Sequence, residues 1–227
     1  MEENKEGEEI IVKRLEPNKI SENDEFINFK IIIVGNSGVG KSCFLKRAVQ
    51  KNFSDHYQAT IGFEFLLMYF EVNGIKIKLQ VWDTCGQEMY RSLIQGFYRN
   101  TALTLLIYAV NDEKSYDDLN EWLKDIKNNC EKEMPIFLLG NKCDLSDENK
   151  LVKSQFVEEF VQQNGLKYFS ETSAKTGFKV DETFNEVVKY LYKEDYLKGK
   201  SVIKKLKMHL DKNEEQNNNI KKKKCCK

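Results

Sequence analysis

The sequence predicts an α/β fold: a six-stranded, mostly parallel sheet with one antiparallel hairpin strand and helices on both faces. Three observations predict it. Short, continuous apolar runs recur along the chain, as in strands buried on both faces. Segments with helical periodicity separate them, so most strands are joined by crossovers. One pair breaks this rule: "FEFLLMYFEV" and "IKIKLQVW" flank Asn73-Gly74, a strong two-residue hairpin signal.

Residues 1–25 are polar and weakly periodic, and read as a flexible acidic arm. "FKIIIVG" (29–35) reads as a strand stopped by glycine, and residues 41–50 as the helix after it. The hairpin follows. "ALTLLIYAV" (102–110) is the next strand, and residues 115–129 a helix with Tyr116, Leu119, Leu123 and Ile126 on one face. "PIFLLGN" (135–141) and "KYFSE" (167–171) read as strands, with residues 153–163 and 181–198 as helices. One domain, 26–196, is long enough for a well-buried core. Residues 197–227 lose the apolar pattern and read as a disordered basic tail.

A net charge of zero conceals an asymmetry: residues 1–25 carry nine acidic and four basic side chains, and residues 197–227 eleven basic and three acidic. A basic end seeks an anionic surface, either nucleic acid or a membrane leaflet. Nucleic acid is disfavoured, because the tail offers no Phe, Tyr or Trp for stacking among its lysines. The N-terminus lacks the apolar core of a secretory signal, and Glu2 rules out N-myristoylation. The run "LTLLIYAV" is too short to span a bilayer. Cys43, Cys85, Cys130 and Cys143 are scattered, which fits reduced thiols better than a disulfide frame or a zinc site.

"GNSGVGKS" (35–42) fits GxxxxGK[ST] and lies between a predicted strand and a predicted helix. Backbone N–H groups of Ser37, Gly38, Val39 and Gly40 can converge on phosphate, with Cys43 following in the first helical turn. Lys41 reaches the terminal phosphates and Ser42 offers its hydroxyl to Mg²⁺. The motif predicts a P-loop NTPase fold; alone it leaves kinase, ATPase and GTPase open. "NKCD" (141–144) then selects the base. The Asp144 carboxylate can accept from both guanine donors, N1–H and the exocyclic amine, a pair that adenine lacks. Asn141 and the Lys142 stem hold the loop and cover the base. "ETSAK" (171–175) brings Ser173 and aims the N–H groups of Ala174 and Lys175 at guanine O6. In "WDTCGQE" (82–88), Asp83 reaches Mg²⁺ through water, Gly86 offers an N–H to the γ-phosphate, and Gln87 orients the attacking water. Thr60 closes the metal shell.

As a set, these motifs resemble the small GTPases of the Ras superfamily, and the Rab family most closely. "TIGFEF", "KLQVWDTCGQE", "YRSL", "FYRN" and "LLIYAVNDEKSY" are similar to Rab signature stretches. The resemblance implies a GTP-binding switch that hydrolyses GTP and recruits effectors to membranes in vesicle traffic. It implies Gln87, Lys41 and Gly86 as catalytic residues, and Phe53 and Tyr57 beside the nucleotide. Ile61, Phe65, Trp82 and Phe97 would form the effector patch. It further implies an exchange factor, a GTPase-activating protein, a GDP dissociation inhibitor and a prenylation escort protein, acting on a monomer that cycles between cytosol and the cytoplasmic face of a membrane. Four positions depart from the commonest pattern: Ser37, Cys85, Phe97 and the pair Ala109-Val110. A competing reading is a scaffold that holds nucleotide without cycling; Gln87, Thr60 and Asp83 favour cycling.

The chain ends "IKKKKCCK". A CaaX box would need cysteine where Lys224 stands. Cys225 and Cys226 instead resemble the Rab endings that carry two geranylgeranyl groups. The competing reading is a polar end with two free or palmitoylated thiols.

Overall fold

The computed structural model describes residues 10–53, 63–84, 95–130 and 133–198. Within them lie β1 (Val12–Leu15), β2 (Ile27–Val34), α1 (Lys41–Gln50), β3 (Phe63–Val72), β4 (Ile75–Thr84) and β5 (Leu103–Ala109). Then follow α2 (Glu113–Asp117), α3 (Leu119–Asn129), β6 (Ile136–Asn141), α4 (Ser154–Asn164), β7 (Tyr168–Glu171) and α5 (Val180–Leu191). The strands form one sheet in the order β1-β3-β4-β2-β5-β6-β7. β3 runs against both its neighbours; every other pairing, from β4 through β7, is parallel.

Burial follows strand position. Every residue of β5 and β6 is buried, as a central parallel strand covered on both faces requires. β4 alternates buried and half-buried residues along its length, because one of its faces is less covered. The hairpin turn has Asn73 at φ 48° and Gly74 at φ 78°, the two positive values a tight two-residue turn needs. Ile32, Val34, Leu106 and Tyr108 share a core with Leu119, Trp122, Leu123 and Ile126 of α3 and with Val157 and Phe160 of α4. Strand alternation sends Ile31, Ile33, Leu105 and Ile107 to the other face, where they are equally buried. There α1 lies against β3 and β4, and its Phe44 ring stacks on Phe184 of α5 at 5.7 Å.

Three expectations are corrected. The sheet has seven strands, because part of the expected flexible arm pairs as an edge strand: Val12 opposes Val72 and Leu15 opposes Tyr69. The edge of β3 offers unpaired N–H and C=O groups, and side chains hold the arm against it. Arg14 lies over the Phe70 ring at 5.2 Å, Asp24 pairs with Lys76 at 2.6 Å, and Phe26 meets Tyr69 edge-on at 5.4 Å. Second, the helix expected over 115–129 is two helices that meet at Asp118. Asp112 caps the first by accepting from Ser115 N–H at 3.1 Å. Third, the helix expected over 181–198 stays α-helical only to Leu191 and continues as a π-helix over Tyr192–Leu197.

By compactness the chain divides into Met1–Val187 and Val188–Lys227. In the second unit the Tyr192 and Tyr196 rings stack at 5.4 Å, one turn apart, and Lys198 pairs with Glu194. Among the described residues no helix is long and apolar enough to cross a membrane.

Candidate nucleotide-binding site

The loop between β2 and α1 is shaped by what surrounds it. A Cβ on Gly35 would strike the Ile107 carbonyl oxygen of β5, and one on Gly40 would strike the Asn141 carboxamide. Both glycines also sit at positive φ, 140° and 97°. Only glycine lets the loop pass this close to β5 and β6. Ser37 and Gly38 are exposed at the rim, and Val39 is buried beneath it. Lys41, at the first position of α1, is buried, and its ammonium donates to the carbonyls of Gly35 and Asn36 at 2.8 Å each. It thus lies folded under the loop, at the helix end where dipole and free N–H groups favour an anion. Cys43 is half-buried, and burial pushes its thiol up from its ordinary range.

Two of the three expected metal ligands, Ser42 and Asp83, meet. The Ser42 hydroxyl donates to Asp83 Oδ2 at the end of β4. Next to it, the Thr84 hydroxyl donates to the Ile33 carbonyl at 2.7 Å and ties the ends of β4 and β2 together. Asp83 is almost fully buried, and its Oδ1 has no hydrogen-bond partner among the described residues. Burial raises its pKa above the usual carboxylate range, while the Ser42 hydroxyl and the Lys41 ammonium pull it back. A buried carboxylate beside a hydroxyl, with one oxygen unsatisfied, fits a hard cation that takes oxygen ligands and keeps waters, as Mg²⁺ does.

A carboxylate whose folded pKa is raised contributes most stability below its ordinary pKa. That contribution is lost as pH rises through the raised value. At neutral pH, Asp83→Asn is therefore expected to leave the nucleotide-free protein as stable as wild type or more so, while Mg²⁺ no longer tightens GDP binding. Thermal melts with and without Mg²⁺ and GDP check this. A variant that melts lower without ligand and still responds to Mg²⁺ would refute the assignment.

The base loop is built around Asn141, the last residue of β6. Its Nδ2 donates to the Val39 carbonyl at 2.8 Å, and its Oδ1 accepts from Ala174 N–H at 3.1 Å. One carboxamide thus joins the phosphate loop to the loop after β7. Lys142 takes φ 68°, and Cys143 N–H donates to the Thr172 carbonyl at 3.0 Å. The exposed Asp144 accepts from the buried Ser173 hydroxyl at 2.5 Å. The Ala174 N–H that was expected to aim at guanine O6 donates to Asn141 in this structure. Arg47 of α1 is the residue that sequence reasoning missed. Its guanidinium donates to the carbonyls of Ala174, at 2.9 Å, and Lys175, and also to that of Lys51 at 2.9 Å. Those bonds hold the carbonyls of the Ala174–Lys175 segment toward α1. Only the lone cation in the last turn of α1 hinted at such a brace.

Aromatic rings gather along the ends of β3 and β4. Phe65 stacks on Trp82 at 5.0 Å, Trp82 tilts against Phe97 at 5.3 Å, and Phe63 stacks on Phe97 at 3.9 Å. Phe65 is half exposed, at 50%. The Lys30 ammonium lies 5.6 Å from the centre of the Trp82 ring and donates to the Phe97 carbonyl at 2.6 Å. Phe53 is half-buried just beyond α1. Tyr57, Thr60, Ile61, Cys85, Gly86, Gln87, Cys225 and Cys226 lie outside the described residues.

The Ras family model matches residues 30–193, the stretch that holds all of these loops. Ras-related protein Rab-13 of Mesocricetus auratus is 40% identical over 161 residues, covering 71% of this chain and 78% of the relative. Rab-13 of Bos taurus matches at the same identity and coverage. The chain is a Rab-family small GTPase of the Ras superfamily. As a Rab GTPase it binds guanine nucleotide and hydrolyses GTP. The order of its loops along the sheet agrees: all lie at the C-terminal ends of parallel strands β2, β4, β6 and β7.

Proposed function

We propose that this Rab GTPase is a membrane-traffic switch whose Mg²⁺·GTP-bound form recruits effectors to the cytoplasmic face of an intracellular membrane. One observation carries the reading. The aromatic stack is made by residues of the two segments that the family resemblance expects GTP to order, about 54–65 and 84–97. Phe63 and Phe65 belong to the first, Phe97 to the second, and Trp82 stands just before the second. A half-exposed apolar surface tethered at both sensing segments is well placed to be read differently in the GTP and GDP states.

In this reading Ser42, Asp83 and Thr60 hold Mg²⁺, and Lys41 with the loop N–H groups of residues 37–43 binds the phosphates. Gly86 and Gln87 engage the γ-phosphate and the attacking water. Asn141, Lys142, Asp144, Ser173, Ala174 and Lys175 form the base pocket, with Phe53 and Tyr57 beside it. Phe65, Trp82, Phe97 and Ile61 make the effector patch. An exchange factor, an activating protein and a GDP dissociation inhibitor drive the cycle of a monomeric domain over about 26–196. Double geranylgeranylation of Cys225 and Cys226 anchors the tail after an escort protein presents it. One lipid chain gives only marginal binding, and the lysine block adds up to about 1 kcal/mol per residue near an anionic leaflet.

Intact mass and fractionation of the full-length chain from its own cell test the proposal. The expected result is two geranylgeranyl increments on membrane-bound protein, both lost in a cytosolic Cys225→Ser, Cys226→Ser variant. Wild-type chain that resides on membranes without either lipid would overturn the anchoring scheme.

A further inference from the structure

The phosphate loop is tied down at two points. The first is Asn141 on Val39, described above. The second lies at the other flank. Asn36 Nδ2 donates to Asp118 Oδ2 at 2.6 Å, and Asn36 Oδ1 accepts from Trp122 Nε1 at 2.8 Å. The chemistry allows one orientation of this carboxamide. An indole N–H only donates and a carboxylate only accepts, so the oxygen must face Trp122 and the amino group Asp118. Both partners belong to the α2–α3 region: Asp118 is the residue between the two helices, and Trp122 is buried one turn into α3. The main-chain carbonyl of this same Asn36 accepts from the Lys41 ammonium at 2.8 Å. α3, Asn36 and the phosphate lysine are therefore linked in series.

We infer that Asn36 is a positioning residue for nucleotide retention: its carboxamide, clamped by Asp118 and Trp122, holds the carbonyl seat from which Lys41 meets the phosphates. The inference rests on the nucleotide site proposed above. The seat has three restraints. Gly35 is pressed against β5, Val39 is held by Asn141, and Asn36 is held by α3. Without the third, the carbonyl of residue 36 can swing and carry the ammonium with it. The link also gives α3, which lies outside the phosphate loop, a route to nucleotide release. A protein that shifts Asp118 or Trp122 would loosen Lys41 without touching the nucleotide.

The test is the GDP dissociation rate of purified full-length protein, read with a fluorescent GDP in Mg²⁺ buffer, beside the denaturation midpoint of each variant. Asn36→Ala removes both bonds, and release is expected to accelerate about tenfold or more, as for loss of a charge-assisted hydrogen bond. Asn36→Asp faces Asp118 with a second carboxylate and should release GDP at least as fast. The swap Asn36→Asp with Asp118→Asn restores a donor opposite an acceptor and still offers Trp122 an acceptor. It is expected to bring the rate back to within about threefold of wild type. Trp122→Phe keeps most of the buried ring and removes one donor, so its release should fall between wild type and Asn36→Ala. Unchanged release in Asn36→Ala and Asn36→Asp would overturn the clamp, as would a swap no slower than its parents. If wild type itself fails to retain GDP, the nucleotide site falls, and the clamp with it.

Discussion

Asp144→Asn is expected to abolish the preference for guanine and move it toward xanthine. The carboxylate stands exposed at the rim of the base loop, with one oxygen accepting from the buried Ser173 hydroxyl at 2.5 Å. That bond fixes its direction, because Ser173 is itself held: its Oγ accepts from Thr176 N–H at 3.0 Å, so its hydroxyl hydrogen goes to Asp144. A carboxylate so aimed can accept from the two adjacent guanine donors. The asparagine brings an amino group of its own, and a donor would then face a guanine donor. Sites built on paired hydrogen bonds reject the wrong partner by about 10⁴–10⁵. Competition binding of GDP, ADP and XDP to wild type and variant measures the shift. Wild type that binds ADP as tightly as GDP would remove Asp144 from the base pocket.

Gln87→Leu is expected to leave GTP binding intact and remove nearly all turnover stimulated by an activating protein. No motif in the chain supplies an arginine in cis, so fast hydrolysis depends on a partner, whose arginine typically adds about 10³–10⁵ in rate. That gain is realised only if a glutamine orients the water. Gln87 lies outside the described residues, but its starting point does not. Thr84 is bonded to Ile33 at 2.7 Å, beside the Asp83–Ser42 contact. Single-turnover hydrolysis with and without an activating protein tests the role, and undiminished stimulated turnover in the variant would end it.

The phosphate and base loops were legible because their chemistry is local. A glycine that must pass under a carbonyl, a lysine at a helix start and a carboxylate after a buried strand each leave their mark within a few residues. The missed features lack any such mark. β1 rests on four residues in a charged segment, and only the open edge of β3 makes them a strand. The break at Asp118 was invisible because Tyr116, Leu119, Leu123 and Ile126 keep helical spacing across it. That Asn141 would accept from Ala174 N–H left no mark either, because the two residues stand 33 positions apart in the chain.

The sequence by itself determined the alternation of buried strands and helices, the hairpin at Asn73-Gly74 and the kind of ligand the loops receive. Backbone preference and burial pattern are set by neighbours in the chain, so they can be read from it. Tertiary structure alone decided which polar groups meet. Asn141 reaches Val39 across 102 positions, Asn36 reaches Asp118 across 82, and Arg47 reaches Ala174 across 127. A buried polar side chain must find a partner somewhere, but composition does not say which one. That choice belongs to the sheet, which brings the ends of β2, β4, β6 and β7 to one edge and lets a single carboxamide bridge two loops.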